Sequence, residues 1–483
     1  MSEIEAFARK AGLGFGPSEI VPTDPESWID EQLIVPRRFV GIASLKQPDT
    51  VSDWPTQLIR KIEDRYDLAE RSFEEEKRLN ADRTLSAEEN RVMFRSWVRD
   101  NFPDRHDETR LLHRAIYAPD QLRQRLLHFW ANHFYVSPAG EGSPFIGDHL
   151  ERAVETNLDG SFEELLFAAT TSPAMLYYLD NHINYGPNSK AAKWKKEQGI
   201  QVGSNDNLAR ELLELHTVTP DLNYTENQIR EVARVLSGWG PPLGGDLNSV
   251  SDLRHPHNPN NGERGKIDVF GMALGSQFGS NAKALRPLLN FLATHELTVS
   301  HLCDKLCRHF IADNPDPEHI EAVKASWIES QGHLPTIHRE LFRRTLMSVG
   351  REKKFLWPMT WLMQSARISG SSIVVGWDDL KNSERNFLSD PEQIANEIGQ
   401  GLFLGQRQPD GYAIDSQVWK SPAHLERRLK FASLIGLHGK PKIDPANFTV
   451  RLNFKPAIRD FVKSLDNSQK WAGLLCNSEF LEV

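Results

Sequence analysis

The chain has 483 residues, with 57 basic and 66 acidic side chains, a formal net charge of −9 and a mean hydropathy of −0.49. A mildly acidic chain does not attract phosphate polyanions by its bulk charge, which argues against general nucleic-acid binding. No stretch approaches the roughly 20 apolar residues that a membrane-spanning helix needs, so we predict no membrane span.

The cysteines and the N-terminus bear on the cellular compartment. Three cysteines cannot form a disulfide framework, which is typical of a reducing compartment or of an exported protein without bridges. The N-terminal sequence MSEIEAFARKAGLGFG lacks the basic region and the apolar core of a signal peptide. We therefore expect a cytoplasmic protein, with a removed leader as the alternative.

The spacing of apolar residues predicts helices along the N-terminal part of the chain. Asp24 and Pro25 form an N-cap followed by proline at the first helical position. Helical spacing then runs through residues 56–100, with a break at 80–85, and again through residues 107–136. These segments predict amphipathic surface helices.

The clearest predicted helix begins at Thr225. Thr225 and Gln228 have the spacing of a capping box, and Gly238 is expected to end the helix. Over residues 240–285 the periodicity vanishes and Gly, Pro, Asn and Asp crowd together, which predicts a loop-rich lobe that leaves room for short strands. Helical patterns resume over residues 283–350, 354–368, 389–403, 421–435 and 455–475. The sequence thus predicts a mainly α, multi-helical single large domain over residues 1–483.

Several segments resemble signatures of a bacterial family known only as a domain of unknown function, number 1800 in that series. The strongest is NLARELLELHTV, which is followed by YTENQIREVARVLSGW. The other segments are HFWANHFYVS at 128–137, SPAMLYYLDN at 172–181, HELTVSHLCDKLCRHFIAD at 295–313, LFLGQRQPDGY at 402–412 and SPAHLERRLKFA at 421–432. The chain departs from the family at residues 257–275, where the usual HD.G.K..LG loop is replaced, and at Gly411-Tyr412, where the family has GW.

The resemblance implies a helical fold, but the family has no established activity. Its members are often encoded beside a sulfatase-like exported protein, which implies such a protein as a partner. Many members carry an export leader. The resemblance therefore implies a periplasmic or extracellular location as the alternative to the cytoplasm.

Two glutamates lie on one face of the predicted helix at 205–216. Glu211 and Glu214 are three residues apart and share a polar stripe, whereas His216 lies about 140° round the helix from Glu211. Paired carboxylates with imidazoles from elsewhere resemble the di-metal sites of helical bundles, but the spacing ExxExH differs from that pattern. Three interpretations stay open: an ion pair of Arg210 with Glu214, metal ligation, and general acid–base use.

Two histidines in the segment at 128–137 are the second candidate. His128 and Asn132 are four residues apart and are neighbours on a helix, and His133 faces elsewhere. A histidine among aromatic residues is commonly a hydrogen-bonded core residue. In the functional alternative, His128 or His133 meets Glu211 or Glu214 across a helix pair and serves as a metal ligand.

The remaining polar clusters favour structural roles. Asp180, Asn181 and Asn184, with the Asn205 to Asn207 run, have no calcium-loop spacing and are predicted to cap helices. On one helix, the side chains of His301, Cys303, Cys307 and His309 cannot converge on a zinc ion, so the cysteines are predicted to be core residues. In the lobe, His255, His257, Asn258, Lys266 and Asp268 suit either a solvated insertion or a ligand contact.

Two functions are therefore consistent with the sequence. The first, which the absence of a diagnostic motif favours, is a non-catalytic binding or assembly protein. The second is a metal-assisted hydrolase or related enzyme with a His/Glu cluster between helices, for which a divalent metal is the candidate cofactor. The catalytic candidates are Glu211, Glu214, His216, His128 and His133, and the metal-ligand candidates are His128, His133, Glu211 and Glu214.

Overall fold

The structure is a computed structural model of the chain. It describes residues 1–34, 61–101, 105–137, 142–241, 247, 250–275, 281–371, 394, 397–401 and 408–483. Most of the helix predicted at 389–403 lies outside the described residues, as do 242–246, 248–249 and 276–280 of the predicted lobe.

Helices account for nearly all of the regular structure among the described residues. The helices of the first half are α1 (Glu3–Ala11), α2 (Pro25–Leu33), α3 (Ile62–Ala81), α4 (Ala87–Asn101), α5 (Arg105–Tyr117), α6 (Gln121–His133), α7 (Ile146–Asp148), α8 (Phe162–Thr171), α9 (Pro173–Tyr178), α10 (Lys190–Glu197), α11 (Asn207–Glu214) and α12 (Glu226–Leu236). A π-helix at His149–Val154 continues α7, and short 3₁₀ turns lie at Ser143–Phe145, Glu155–Asp159, Asn181–Ile183 and Pro220–Leu222.

The second half repeats the pattern of short, closely connected helices. They are α13 (Leu285–Thr294), α14 (Glu296–Phe310), α15 (Pro317–Glu329), α16 (Leu334–Met347), α17 (Pro358–Ser369), α18 (Pro422–His438), α19 (Pro445–Arg451), α20 (Pro456–Ser464), α21 (Asn467–Leu475) and α22 (Ser478–Leu481). Two 3₁₀ turns lie at Asn281–Ala284 and Ser416–Lys420. The predicted mainly α fold is confirmed.

Local capping explains where the predicted helices begin. The Asp24 carboxylate accepts hydrogen bonds from the backbone N–H groups of Glu26 and Ser27, which satisfies donors that helix α2 leaves free. The capping box of Thr225 and Gln228 is present at the start of α12. Both of these sequence predictions are confirmed.

The described part of the lobe contains one hairpin. Strands β1 (Ile267–Val269) and β2 (Met272–Leu274) pair antiparallel around a two-residue turn. Phe270 and Gly271 in that turn both have positive φ, 51° and 77°, as a turn that matches the twist of a short hairpin requires. The short strands for which the sequence left room are therefore present.

Asparagine side chains hold the C-terminal end of α12. Asn181 Nδ2 donates to the Leu236 carbonyl at 3.0 Å, and Asn184 Nδ2 donates to the Ala233 carbonyl at 2.8 Å. Asn281, at the far end of the lobe, donates to the Val235 carbonyl at 2.8 Å. Asn181 and Asn184 thus cap a helix, as their residue types predicted, and that helix is α12.

The buried apolar side chains form one continuous core, from Ile4 near the N-terminus to Leu481 near the C-terminus. Cys303 and Cys307 lie in this core with no exposed surface, and both are free thiols. Their predicted role as core residues is confirmed. In the described part of the chain, no helix is both long and apolar enough to cross a membrane.

Candidate functional site

The C-terminal end of α6 is where several chain segments meet. Asn132 Nδ2 donates to the Tyr412 carbonyl at 3.0 Å, and the Tyr412 backbone N–H donates to Asn132 Oδ1 at 2.7 Å. This two-way bond fixes the loop at 408–412 against α6. Gly411 approaches so closely that a Cβ atom there would lie 2.9 Å from Asn132 Oδ1 and closer still to the Asn132 carbonyl.

His133 is the next residue of α6, and its hydrogen bonds fix its tautomer. The buried His133 ring places Nε2 3.3 Å from the His216 carbonyl oxygen. A carbonyl oxygen only accepts hydrogen bonds, so Nε2 carries the proton and Nδ1 is the acceptor. Lys305 Nζ lies 3.1 Å from Nδ1 and donates to it. Burial, followed by the positive charge of Lys305, lowers the pKa of His133 well below its ordinary value, so the imidazole is neutral.

Lys305 projects from α14 and is half-buried. Burial lowers the pKa of its amine to about 8, and the negative charge of Asp410 opposes that shift. Among the described residues no carboxylate forms an ion pair with Lys305, and its hydrogen-bond partner is the neutral His133 imidazole. With that pKa, about a tenth of the Lys305 amine is unprotonated at pH 7 and about half at pH 8.

Asp410 interacts electrostatically with this amine and also with Glu211. Burial raises the pKa of Glu211, and the neighbouring charges of Glu214 and then Asp410 raise it further. Glu211 and Glu214 are half-buried on α11, whereas Asp410 is exposed on the loop that α6 holds. The Glu211 carboxyl therefore keeps its proton to a higher pH than an ordinary glutamate does.

The predicted pairing of Arg210 with Glu214 does not occur. Arg210 Nη2 instead lies 3.0 Å from Asp206 Oδ2 and 2.6 Å from Glu226 Oε2. Glu226 lies in the first turn of α12. Arg210 is thus paired with Asp206 and Glu226, and no described arginine or lysine forms an ion pair with Glu211 or Glu214.

Tyrosines border the carboxylates. The Tyr178 ring, at the end of α9, packs against the Tyr135 ring with centroids 6.4 Å apart, and Tyr135 packs against Tyr412 at 6.3 Å. Burial, followed by the charges of Glu211 and Asp410, raises the pKa of Tyr178 to about 12. Tyr178 is therefore a neutral hydroxyl donor beside the acidic groups.

His216 lies behind the cluster and is 1% exposed. Its ring packs edge-on against that of His133, with centroids 5.8 Å apart, and at a tilt against that of Phe134 at 5.2 Å. Neither ring nitrogen has a hydrogen-bond partner among the described residues. Burial, followed by the charge of Lys305, lowers the pKa of His216 to about 3, so this ring is neutral as well.

His128 belongs to a different cluster. Its ring packs edge-on against Trp357 at 6.0 Å, and Trp357 packs against His309 at 4.5 Å. The structure thus brings His133 and His216 together near α11, which carries Glu211 and Glu214, and it places His128 elsewhere in the core. The reason is geometric: five helical residues turn the chain through about 140°, so His128 and His133 face different neighbours.

The metal-ligand candidates do not converge on one point. In the described part of the chain, no three His, Cys, Asp or Glu side chains come together in a group that could hold a metal ion. Both ring nitrogens of His133 are already engaged, by Lys305 and by the His216 carbonyl. The described geometry therefore gives no support to metal ligation by His133, and the metal assignment stays a prediction.

Residues 6–475 match the family described as "Protein of unknown function (DUF1800)". This chain belongs to the DUF1800 family. No curated protein and no solved structure matches the DUF1800 chain.

Five of the segments that resemble DUF1800 signatures supply the cluster. They contribute Asn132 and His133, Tyr178, the helix that carries Glu211 and Glu214, Lys305, and the loop from Asp410 to Tyr412. We refer to these residues together with His216 as the Lys305 cluster.

Sequence reasoning missed three of its members. Lys305, Tyr178 and Asp410 all stand inside segments that carried the resemblance to DUF1800, and that position was the available signal. Their residue types gave no signal of a functional site, because a lone lysine, tyrosine or aspartate commonly lies at the surface.

Proposed function

We propose that this DUF1800 protein is a hydrolytic enzyme in which Lys305 is the general base and Glu211 is the general acid. The observation that carries the proposal is the Lys305 amine, which is half-buried, has no carboxylate ion-pair partner in the described part of the chain and donates to a neutral imidazole. Two titratable groups whose surroundings move their pKa values toward neutrality are typical of an acid–base pair.

The proton steps follow from these surroundings. The unprotonated Lys305 amine takes a proton from an attacking water, whose oxygen bonds to the electrophilic carbon of the substrate. The bond from that carbon to the leaving group breaks, and the leaving group takes the proton of the Glu211 carboxyl. His133 is a positioning residue, since its Nδ1 accepts from Lys305 and aims the amine lone pair.

The charges around the cluster limit the substrate class. Asp410 interacts with both Lys305 and Glu211, and Glu214 interacts with Glu211, so the cluster holds three carboxyl groups and one amine. An anionic substrate would be repelled, so a neutral or cationic substrate fits best.

The competing interpretation is a non-catalytic binding or assembly role. A binding or assembly role does not require a buried amine with a lowered pKa. The uncompensated amine therefore supports the enzymatic interpretation, and the sulfatase-like partner and the cellular compartment remain separate predictions.

The test uses 4-nitrophenyl acetate as the probe. This ester reports the unprotonated amine that a general base requires. We expect a burst of nitrophenolate close to one equivalent at pH 8, as the Lys305 nitrogen attacks the ester carbonyl, the N–C bond forms, the C–O bond breaks and the amine proton passes to water. Absorbance gives the burst, and peptide mass spectrometry locates the acetyl group. The burst should be lost in Lys305→Met and kept in the control Lys196→Met, which removes an exposed lysine of α10.

Two results would overturn this assignment. In the first, acetylation at pH 8 falls on exposed lysines and spares Lys305. In the second, dialysis against EDTA abolishes the burst and added zinc restores it. That result would favour a metal-assisted hydrolase.

A further inference from the structure

A second site lies between α8 and the lobe. A cleft of about 740 Å³ opens there, which is within the usual size range of small-molecule sites. None of its lining residues belongs to the Lys305 cluster. The residues that carry its chemistry are Phe167, Trp239, Asp252, His255, His257 and Arg286.

The cation of this cleft is already neutralised. Arg286 Nη1 lies 2.9 Å from Glu163 Oε1, and its guanidinium covers the Phe167 ring at 3.6 Å. The lining also includes the carboxylates of Glu164 and Asp252. The lining residues therefore carry no net positive charge, which disfavours an anionic ligand.

The two histidines of the cleft are neutral. Burial lowers the pKa of His255 and of His257. His255 Nδ1 lies 2.8 Å from Thr171 Oγ1, and His257 Nε2 lies 3.4 Å from Asn281 Oδ1. The Asn281 oxygen can only accept, and the Thr171 hydroxyl already donates to the Phe167 carbonyl, so each contact uses the N–H of its imidazole. Both rings are held in fixed orientations, and each leaves its other nitrogen as an acceptor.

Aromatic rings form one wall. Trp239 packs edge-on against Phe167, with centroids 5.7 Å apart, and against His257 at 4.9 Å. Trp239 is 6% exposed, and its Nε1–H has no acceptor among the described residues. A buried indole donor of this kind is commonly paired, so its lack of a partner points to a group that the protein itself does not supply.

We infer that this cleft binds a neutral, hydroxyl-rich ligand, namely a small saccharide. Fixed imidazole acceptors, the carboxylate oxygens of the lining and the unpaired Trp239 N–H donor match the many hydroxyl groups of a sugar, each of which can donate and accept. An apolar ligand would strip these polar groups of water without pairing them, and an anion would meet Asp252 and Glu164. The inference does not depend on the proposed hydrolytic function.

The experiment is a titration of the full chain with cellobiose, maltose, lactose and chitobiose, followed by calorimetry and by tryptophan fluorescence. We expect at least one disaccharide to bind with Kd below about 10 mM, the weak end of specific recognition. Asp252→Ala and His255→Ala should each weaken that binding at least about tenfold. Trp239→Phe should remove the fluorescence response.

Controls separate this site from the Lys305 cluster. Lys305→Met should bind the sugar as the unaltered chain does, and Asp252→Ala, at an exposed position, guards against a folding failure of His255→Ala. The inference is overturned if no disaccharide binds, if binding survives both cleft variants, or if inorganic phosphate binds at the cleft in place of the sugars.

Discussion

Replacing Lys305 by methionine should stabilise the fold at neutral pH. The fall in the Lys305 pKa from 10.5 to about 8 corresponds to a charge-burial cost of ~3 kcal/mol. Methionine removes that cost but leaves His133 Nδ1 without its donor, and solvent reaches part of the lysine side chain. We therefore expect a net gain of about 1–2 kcal/mol in the free energy of unfolding.

The gain should depend on pH with a defined sign. Because the folded-state pKa is the lower one, the cost of the charge is present in full below pH 8. It disappears as the pH rises from about 8 to 10.5, where the folded state has already released its proton and the unfolded state has not. Urea unfolding at pH 7 and near pH 10 measures both values. A variant that is less stable than the unaltered chain at pH 7 would contradict the assignment.

Lys354 is the matched control, because it is a buried lysine with a counter-ion. Its Nζ bonds to Asp313 Oδ1 at 2.5 Å and to the Ile414 carbonyl at 2.9 Å. Lys354→Met leaves that aspartate without its cation, so we expect a loss of about 2–3 kcal/mol. Opposite signs for the two variants would separate a lysine kept for function from one kept for stability.

Gly411→Ala should be the most damaging single change at the Lys305 cluster. Gly411 has φ of 69°, and its added Cβ would collide with the Asn132 carbonyl. The left-handed φ costs about 1–2 kcal/mol, and separating the loop from α6 breaks two hydrogen bonds of ~1 kcal/mol each. We expect a total loss of about 3 kcal/mol in the free energy of unfolding.

Gly199→Ala measures the cost of the backbone strain in the absence of a collision. Gly199 has φ of 76°, but a Cβ atom there meets nothing within 4 Å. This control should lose only about 1 kcal/mol. Equal losses in the two variants would mean that close packing of the 408–412 loop against α6 is not what holds the loop.

Much of the fold could be predicted because the signals are local. A capping box or an Asp-Pro start depends on residues within one turn, and apolar spacing depends on a single helix. The roles of Asn181 and Asn184 were predicted by type, but their target helix was not. That target, α12, lies 49 residues beyond Asn184 at Ala233, a distance that local patterns do not report.

The Lys305 cluster shows more clearly what local sequence patterns do not predict. The sequence placed Glu211, His133 and His216 among its candidates, yet Lys305 and His133 are 172 residues apart. Whether a lysine is solvated or buried depends on which segments cover it, and helical spacing alone gives no information on that. The Arg210 pairing failed for a similar reason, since Glu226 of the next helix competes with Glu214 for the same cation.

The measurement that tests the central claim most directly is an NMR titration of the Lys305 side chain, assigned by comparison with Lys305→Met. We expect the Lys305 amine to titrate with a pKa of about 8, whereas exposed lysines such as Lys196 should titrate near the ordinary value of about 10.4. A Lys305 pKa at the ordinary lysine value would contradict the account, because the amine would then be fully protonated at neutral pH and could not act as a base.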